Sequence, residues 1–268
     1  MREFGLIGFP LTHSFSEKYF AEKFLRENIS DASYKLFTID SIEKLPELIS
    51  ANPNLAGLNV TIPYKEKVIP FLDELDEIAK AVGAVNTIAF KIQDSKFIRR
   101  GIQDPGFKII GHNTDVYGFR QSIKPFLTSA HERALILGTG GASKAVEYVL
   151  KQIGVDCIFV SREKKSIAPK EQAGKTILTY EELNSYVIAS CKLIVNCSPV
   201  GTFPDVTDFP KLPYEAITKE HLLYDLVYNP AETEFLKRGK ANGAETMNGL
   251  DMLKLQAEKA WEIWNLKS

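Results

Sequence analysis

The 268-residue sequence has few cysteines, few histidines and no excess of either charge. Its three cysteines, Cys157, Cys191 and Cys197, are odd in number and lie in or beside apolar runs. This pattern argues against a disulfide framework and favours a reducing compartment. The four histidines lack the spacing of metal ligands, so we predict no metal site. With a formal net charge of −1 and neither sign segregated, we expect no binding to nucleic acid or to a membrane surface.

The sequence also lacks long apolar runs and an N-terminal targeting pattern. No run is long enough to span a bilayer, and the first residues do not resemble a signal peptide. We therefore expect a cytoplasmic protein that acts on small molecules. The length is sufficient for one large domain or two small ones, each with a packed core.

One strand–turn–helix unit stands out in the sequence. Residues 134–137 form a short apolar run, typical of a strand buried on both faces of a parallel sheet. Apolar residues then recur at helical spacing from Val146 to Ile153, and Gly154 stands where a helix would end. The turn between strand and helix consists of the small residues Gly138, Thr139, Gly140, Gly141, Ala142 and Ser143.

This turn has the composition of a phosphate-binding loop. Glycines allow a tight turn and a close approach of ligand to backbone, and the helix start offers free N–H groups to an anion. The third small position is Ser143, where the usual dinucleotide pattern has glycine or alanine. Because serine is still small, we predict a dinucleotide site over a plain strand–helix turn.

The end of the next strand, residues 157–160, bears on the choice of cofactor. Enzymes that prefer NAD place an acidic residue there to bind the ribose hydroxyls. Here Ser161 and Arg162 follow, and Arg162 can hold a 2′-phosphate with two hydrogen bonds. The alternative is an ordinary solvated turn, and Glu163 could repel the phosphate or bind the ribose. We predict NADP over NAD.

The N-terminal half carries polar residues where strands end and helices begin. Ser14 and Glu17 fit a capping box, so Ser14 can serve as a helix N-cap. Ser14 and Ser16 can equally hold a carboxylate at the helix start. The residues alone leave both readings open.

A second such cluster follows a strand predicted over residues 58–62. We predict that this strand leads into a helix with Pro63 in its first turn. Asn59, Thr61 and Lys65 would then lie at the carboxyl end of the strand, where α/β sheets bind ligands. A lysine near a helix N-terminus is disfavoured as a cation, which suits proton transfer. The alternative is an ordinary surface lysine.

Further candidates begin or end predicted elements. Asn86 starts a strand, and Asp115 precedes a helix, where it can be an N-cap or a functional group. Ser198 lies in a polar loop after a buried strand, a position suited to the nicotinamide half of a dinucleotide. Gln256 is a polar exception near the apolar face of the last helix, with a solvated position as the alternative. The polar segment from Lys91 to Lys108 is predicted to be an extended hairpin or flap.

Eight stretches resemble one known family, the shikimate dehydrogenases, in the same order. They are HSFS (13–16), NVTIPYK (59–65), AVNT (84–87), GHNTD (111–115), GTGGASK (138–144), NCSPVG (196–201), DLVYNP (225–230) and NGLDMLKLQ (248–256). Any one of these is a weak signal, but together they span the chain and are highly specific.

The resemblance implies two α/β domains with a cleft between them. The substrate domain would comprise residues 1–115 and 249–268, and a Rossmann domain for NADP would comprise residues 116–248. The implied reaction is the reversible reduction of 3-dehydroshikimate to shikimate with NADPH, in aromatic amino-acid biosynthesis. The protein is expected to be a monomer or a homodimer.

The resemblance also implies roles for individual residues. Lys65 and Asp115 would form the catalytic pair, and Ser14 and Ser16 would hold the substrate carboxylate, with Tyr228 near it. The other substrate contacts would be Asn59, Thr61, Asn86 and Gln256. The cofactor would contact the loop from Gly138 to Ser143, Ser161, Arg162 and Ser198, with Gly249 and Met252 near the nicotinamide.

Two other functions compete with this one. A dual quinate/shikimate dehydrogenase resembles the family closely and often accepts NAD; Ser16 and Arg162 argue against it. A non-catalytic relative that senses a metabolite is disfavoured because Lys65 and Asp115 are both present. The sequence departs from the family pattern at Ser161–Glu163, in the length of the segment from Lys91 to Lys108, and at His112, where tyrosine is common.

Overall fold

The computed structural model describes residues 1–11, 14–92, 107–163 and 174–266. The chain divides into two compact units, residues 1–114 with 256–268, and residues 115–255. Each unit has its own six-stranded sheet. The predicted α/β class with two domains is therefore confirmed.

The sheet of the first unit is mixed. Its strands are β1 (Arg2–Gly8), β2 (Ala32–Thr38), β3 (Leu55–Val60), β4 (Glu74–Leu75), β5 (Thr87–Ile92) and β6 (Phe107–His112). Their order across the sheet is β2-β1-β3-β5-β6-β4. β1 runs parallel to β2 and β3, whereas β5 is antiparallel to β3 and β6.

Three helices and two 3-10 turns accompany this sheet. They are α1 (Phe15–Arg26), α2 (Leu45–Ala51), α3 (Glu77–Val82), and the turns at Ile42–Lys44 and Ile69–Phe71. The last helix of the chain also packs here, because its residues from Gln256 onward belong to this unit. Trp264 donates its indole N–H to the Ile88 carbonyl at 2.9 Å, and the absence of a side chain at Gly57 makes room for its ring.

The predicted helix beginning at Pro63 is wrong. After β3 the chain forms successive turns, in which Tyr64 N donates to the Thr61 carbonyl and Ile69 N to the Glu66 carbonyl. The Lys65 carbonyl accepts a hydrogen bond from Val85 N at 2.7 Å instead of from a helical neighbour. Tertiary contacts thus replace the helical ladder, and Lys65 does not lie at a helix N-terminus.

The sheet of the second unit is parallel throughout. Its strands are β7 (Arg133–Leu137), β8 (Asp156–Ser161), β9 (Thr176–Thr179), β10 (Leu193–Asn196), β11 (Leu222–Asp225) and β12 (Glu245–Met247). Their order is β12-β11-β10-β7-β8-β9. This is the doubly wound order of dinucleotide-binding domains, and it reverses between β7 and β10.

Five helices of the second unit lie within the described residues. They are α4 (Asp115–Ile123), α5 (Gly141–Gln152), α6 (Ser185–Ser190), α7 (Glu234–Ala241) and α8 (Leu250–Asn265), which continues into the first unit. Short 3-10 turns lie at Lys124–Phe126, Tyr180–Glu182 and Tyr214–Ala216. Asn184 caps α6 shortly after the turn at Tyr180–Glu182.

The segment from Lys91 to Lys108 is described only at its ends. There β5 and β6 pair antiparallel, with Lys91 opposite Lys108. Residues 93–106, where the flap was predicted, lie outside the described residues. Within the described ranges, no helix is long and apolar enough to cross a membrane.

Candidate active site

A buried polar network lies in the first unit where β3 and β5 meet. Asn86, directly before β5, donates from Nδ2 to the Thr114 hydroxyl at 2.9 Å and lies 3.4 Å from Gln256 Oε1. Its Oδ1 accepts from Thr114 N at 2.7 Å. Gln256 is only 7% exposed, so the solvated position considered for it is wrong.

Asn59 extends this network along β3. Its Nδ2 donates to the Thr87 hydroxyl at 3.1 Å and to the Asn86 carbonyl at 3.3 Å, and its Oδ1 accepts from the Tyr34 hydroxyl at 2.8 Å. Tyr34 also has a hydrogen bond from Ser16, which opposes the rise that burial causes in the pKa of its phenol. The structure therefore joins Ser16, Asn59, Asn86 and Gln256 in one continuous set of contacts.

The start of α1 places two hydroxyls at a helix N-terminus. Ser14 is the N-cap, as considered, and its Oγ accepts from Ser16 N at 3.2 Å. Ser16 is 8% exposed and Ser14 is half-buried. The partial positive charge of the helix start favours an anion beside these hydroxyls.

Thr61 and Lys65 lie in the turns that follow β3. Thr61 N donates to the Ile7 carbonyl at 2.9 Å, which ties its backbone to the end of β1. Both side chains are half-buried. Tyr64 between them is buried and donates to the Ile39 carbonyl at 2.7 Å, which anchors the segment.

Asp115 directly follows Thr114 in the chain and is the first residue of α4. It is therefore a helical residue and not the N-cap considered for it. Its side chain is 5% exposed. A carboxylate in the first turn of a helix interacts favourably with the helix dipole.

The glycine turn of the second unit has the predicted form. Gly138 has a φ of +106°, and a Cβ there would lie 3.4 Å from the backbone of Cys197. A Cβ at Gly140 would meet nothing within 4 Å, so open space faces the start of α5. Ser143 is buried and donates to the Gly140 carbonyl at 2.6 Å, which shows that serine fits the third small position.

The end of β8 presents Ser161 and Arg162. The Ser161 hydroxyl donates to the Glu163 carbonyl at 3.1 Å, and Arg162 is exposed. Burial raises the pKa of Tyr180, and the nearby Arg162 charge opposes that rise. The guanidinium therefore lies near the Tyr180 ring, at the end of the strand next to the glycine turn.

Ser198 is held at the sheet's switch point. Its hydroxyl and its N–H both donate to Asn196 Oδ1, at 2.6 Å and 3.1 Å. Asn196 Nδ2 donates to Asp225 at 2.9 Å. The loops after β10 and β11 thus share one buried set of hydrogen bonds.

Tyr228, Gly249 and Met252 lie beyond the ends of β11 and β12. Tyr228 is half-buried, and Met252 is 6% exposed in the first turn of α8. Gly249 N donates to the Val227 carbonyl at 3.1 Å. A Cβ at Gly249 would lie 2.1 Å from the Leu226 carbonyl oxygen, so only glycine allows this close approach.

Five buried polar residues of these networks had no role in the sequence interpretation. They are Tyr34, Thr87, Thr114, Asn196 and Asp225, with exposed fractions of 9%, 0%, 1%, 0% and 0%. Polar residues inside or directly after apolar strands were the available signal, but the sequence does not show which neighbours they bond. Of the described residues, no group of three or more His, Cys, Asp or Glu side chains is arranged to hold a metal.

Comparison with known proteins gives consistent matches over the whole chain. The family model described as the shikimate dehydrogenase substrate binding domain matches residues 6–88. The NADP(+) shikimate dehydrogenase of Carboxydothermus hydrogenoformans is 39% identical, over 97% of this chain and 90% of that protein.

Solved structures extend the match to the fold. The shikimate 5-dehydrogenase of Thermus thermophilus, solved with NADP(H) and shikimate, has a TM-score of 0.79 and 29% identity over 99% of this chain and 93% of its own. The quinate dehydrogenase of Corynebacterium glutamicum, solved with NAD, has a TM-score of 0.80 and 29% identity over 98% and 93%.

Proposed function

This chain belongs to the shikimate dehydrogenase family and catalyses the reversible, NADP-dependent interconversion of 3-dehydroshikimate and shikimate, and we propose that its two units divide the work. We assign substrate binding to residues 1–115 and 249–268, which extend the first compact unit by Asp115 and residues 249–255. We assign cofactor binding to residues 116–248. The reaction serves aromatic amino-acid biosynthesis.

The observation that carries the substrate assignment is the buried network of Asn59, Asn86 and Gln256. These side chains are neutral, converge at one end of the sheet and offer both donors and acceptors. A ring that bears several hydroxyls needs this kind of partner. We assign the ring hydroxyls to this network, with Thr61 beside it on the turn after β3.

The substrate carboxylate is assigned to Ser14 and Ser16. Their hydroxyls lie at the start of the 12-residue helix α1, where an anion is stabilised by the helix dipole and by free N–H groups. Tyr228 is assigned as a further contact to the carboxylate.

Lys65 and Asp115 are assigned as the catalytic pair. Reduction of the ketone places negative charge on its oxygen, and the Lys65 ammonium stabilises that charge and supplies the proton. In the opposite direction the neutral amine of Lys65 takes the proton from the hydroxyl. Asp115, the first residue of α4, is assigned to bind the neighbouring hydroxyl of the substrate.

The second unit fits a dinucleotide phosphate cofactor. The open space at Gly140 and the start of α5 suit a pyrophosphate, with Thr139, Gly141 and Ala142 contributing backbone N–H groups. Ser161 and Arg162 are assigned to the 2′-phosphate, and Ser198, Gly249 and Met252 to the nicotinamide end. When bound, NADPH supplies the hydride.

Initial rates test this assignment directly. Purified protein is given shikimate or quinate, each with NADP⁺ or NAD⁺, and cofactor reduction is followed by absorbance. We expect strong turnover only with shikimate and NADP⁺. Comparable turnover with quinate or NAD⁺ would instead support a dual-specificity enzyme, with Glu163 as the first residue to change. No turnover with any pair, in protein shown to bind shikimate, would support a non-catalytic sensor.

The assigned residues all come from one chain, so we propose that a monomer and a homodimer would both be active. Sedimentation velocity combined with activity at several protein concentrations tests this. A specific activity that falls on dilution as a dimer dissociates would contradict it.

A further inference from the structure

A buried carboxylate that the proposed chemistry does not use lies beside the switch point of the second sheet. Asp225 is the last residue of β11 and is 0% exposed. Its Oδ1 accepts hydrogen bonds from Asn196 Nδ2 at 2.9 Å and from Val227 N at 3.0 Å. Its Oδ2 accepts one from the Thr233 hydroxyl at 2.6 Å. Burying a charge is costly unless it is well paired, so its position calls for a reason.

Asp225 fixes the direction in which the Asn196 amide faces. Because the amide nitrogen donates to Asp225, the amide oxygen points to the loop after β10. There it accepts from both the N–H and the hydroxyl of Ser198. If the amide were reversed, its oxygen would face the Asp225 carboxylate, acceptor to acceptor, and its NH₂ group would face the Ser198 N–H, donor to donor. The carboxylate therefore sets the conformation of the Ser198 loop through Asn196.

The same carboxylate holds the turn after β11. Val227 donates its N–H to Asp225, and the Val227 carbonyl accepts from Gly249 N at 3.1 Å. Leu226 N donates to the Asn196 carbonyl at 2.9 Å, which joins this turn to the end of β10. Asp225 thus connects the loop that carries Ser198 with the turn to which Gly249, the other assigned nicotinamide contact, is hydrogen-bonded.

Asp225 is the group of this cluster that titrates near neutral pH. Burial raises the pKa of Asp225 to about 6, and the hydrogen bonds from Thr233, Val227 and Asn196 oppose that rise. Two titratable groups face it from neighbouring segments, Cys197 after β10 and Tyr214 in the turn before β11. Burial, with a smaller effect of the Asp225 charge, raises the pKa of both, so both stay neutral.

We propose that Asp225 is a positioning residue for the cofactor: its ionised form holds the Ser198 loop and the Val227 turn in the conformation that binds NADP. Protonation makes one carboxyl oxygen a donor and weakens the other as an acceptor, which loosens both loops. This inference rests on the proposed binding of NADP at this end of the sheet.

The test is calorimetric titration of the full chain with NADP⁺ between pH 5.0 and 8.0, without shikimate. We expect the affinity of the unmodified protein to fall about tenfold from pH 7.5 to 5.0. Asp225→Asn should bind NADP⁺ about tenfold more weakly at pH 7.5 than the unmodified protein does. Its affinity should then fall much less than that of the unmodified protein when the pH is lowered to 5.0. Its KM for NADP⁺ should rise while its KM for shikimate stays the same.

Thr233→Val separates Asp225 from the 2′-phosphate of the cofactor, which titrates in the same range. This variant keeps the bonds from Asn196 and Val227 but removes one that lowers the Asp225 pKa. The midpoint of the pH dependence should therefore move to higher pH. A phosphate on the ligand would not respond to this change.

Two results would overturn the inference. One is a folded Asp225→Asn protein that binds NADP⁺ as the unmodified protein does; the other is an unchanged midpoint in Thr233→Val. If Asp225→Asn does not fold, the Thr233→Val midpoint decides alone. Protein that binds no NADP⁺ at any pH would contradict the proposed function itself. This result differs from each of the two results that would overturn the inference.

Discussion

Asn86 and Gln256 are separated by 170 positions in the chain, yet their amide groups lie 3.4 Å apart inside the first unit. The Thr114 hydroxyl lies within hydrogen-bond distance of both side chains, 3.2 Å from Asn86 Oδ1 and 3.3 Å from Gln256 Oε1. The last helix thereby contributes to a network built mainly by strands β3 and β5. The end of the chain thus completes the proposed substrate site, as well as the core around Trp264.

Gln256→Leu tests whether this contact serves the substrate. The change keeps most of the volume but removes the amide oxygen that Asn86 and Thr114 face. We expect the KM for shikimate to rise about tenfold, with a smaller effect on kcat, because each lost buried hydrogen bond contributes about 1 kcal/mol. Lys254→Leu, on the exposed face of the same helix, is the control and should leave both constants unchanged. An unaltered KM in Gln256→Leu would remove Gln256 from the site.

Lys65→Met tests the proton donor. Methionine retains the length of the side chain and removes the charge, so kcat should fall by about 10²- to 10⁴-fold, in the range of general acid–base effects. The dissociation constant for shikimate should change little. Lys67→Met alters an exposed lysine of the same segment and should retain full activity. Near-normal kcat in Lys65→Met would refute the catalytic assignment.

Arg162→Ala tests recognition of the 2′-phosphate. We expect the KM for NADPH to rise about tenfold, with no change for NADH, since only the former carries that phosphate. Arg162→Lys keeps the charge but not the planar fork, so its KM for NADPH should be intermediate. Equal effects on both cofactors would exclude this role.

Gly140→Ala tests the open space before α5. The backbone there has φ −82° and ψ −175°, which alanine adopts freely, and its Cβ would meet nothing within 4 Å. We expect a loss of less than about 1 kcal/mol in unfolding free energy, as for a changed helix cap, but at least about a tenfold loss in NADP⁺ affinity. Gly249→Ala is the contrasting variant, because its Cβ would collide with the Leu226 carbonyl and reduce stability as well. Unchanged affinity in Gly140→Ala would place the cofactor elsewhere.

Asp225 also gives stability a pH dependence of defined sign. Its pKa is about 6 in the folded chain against an ordinary 3.8, so the folded state binds its proton more tightly. The resulting contribution to unfolding free energy is fully present below pH 3.8 and is lost as the pH rises to about 6. It amounts to at most about 3 kcal/mol.

The side chain at position 225 cannot titrate in Asp225→Asn. The difference in unfolding free energy, variant minus unmodified protein, should therefore increase from about pH 4 to 6. Urea unfolding at several pH values in this window measures the difference. Asp205→Asn, an exposed carboxylate of the same unit, is the control. A difference that stays constant with pH would show that Asp225 titrates normally.

Much of the fold followed from local sequence pattern. The apolar run of β7, the glycine turn and the stripe of α5 predicted the nucleotide-binding unit, because strand and helix periodicity and glycine conformation are local properties. The end of β8 was predicted for the same reason. Ser143 is small enough for the third position of this turn, where its hydroxyl donates to the Gly140 carbonyl.

Local pattern failed where tertiary contacts replace local ones. Pro63 predicted a helix start, but the carbonyl of Lys65 bonds to Val85 and the helix does not form. Gln256 lies near the apolar face of an amphipathic helix, where a solvated position was the alternative. It is buried instead, because Asn86 and Thr114 form hydrogen bonds with its amide.

The sequence by itself determined the fold class, the family and the identity of the candidate groups, since these depend on residue types and their order along the chain. Only the tertiary structure decided which polar groups share hydrogen bonds. Tyr34 joins Ser16 to Asn59, and Asp225 joins Asn196 to Val227. Such bonds form between segments that are distant in the chain. Which group donates and which accepts depends on the buried surroundings of each, and the local spacing of residues does not show those surroundings.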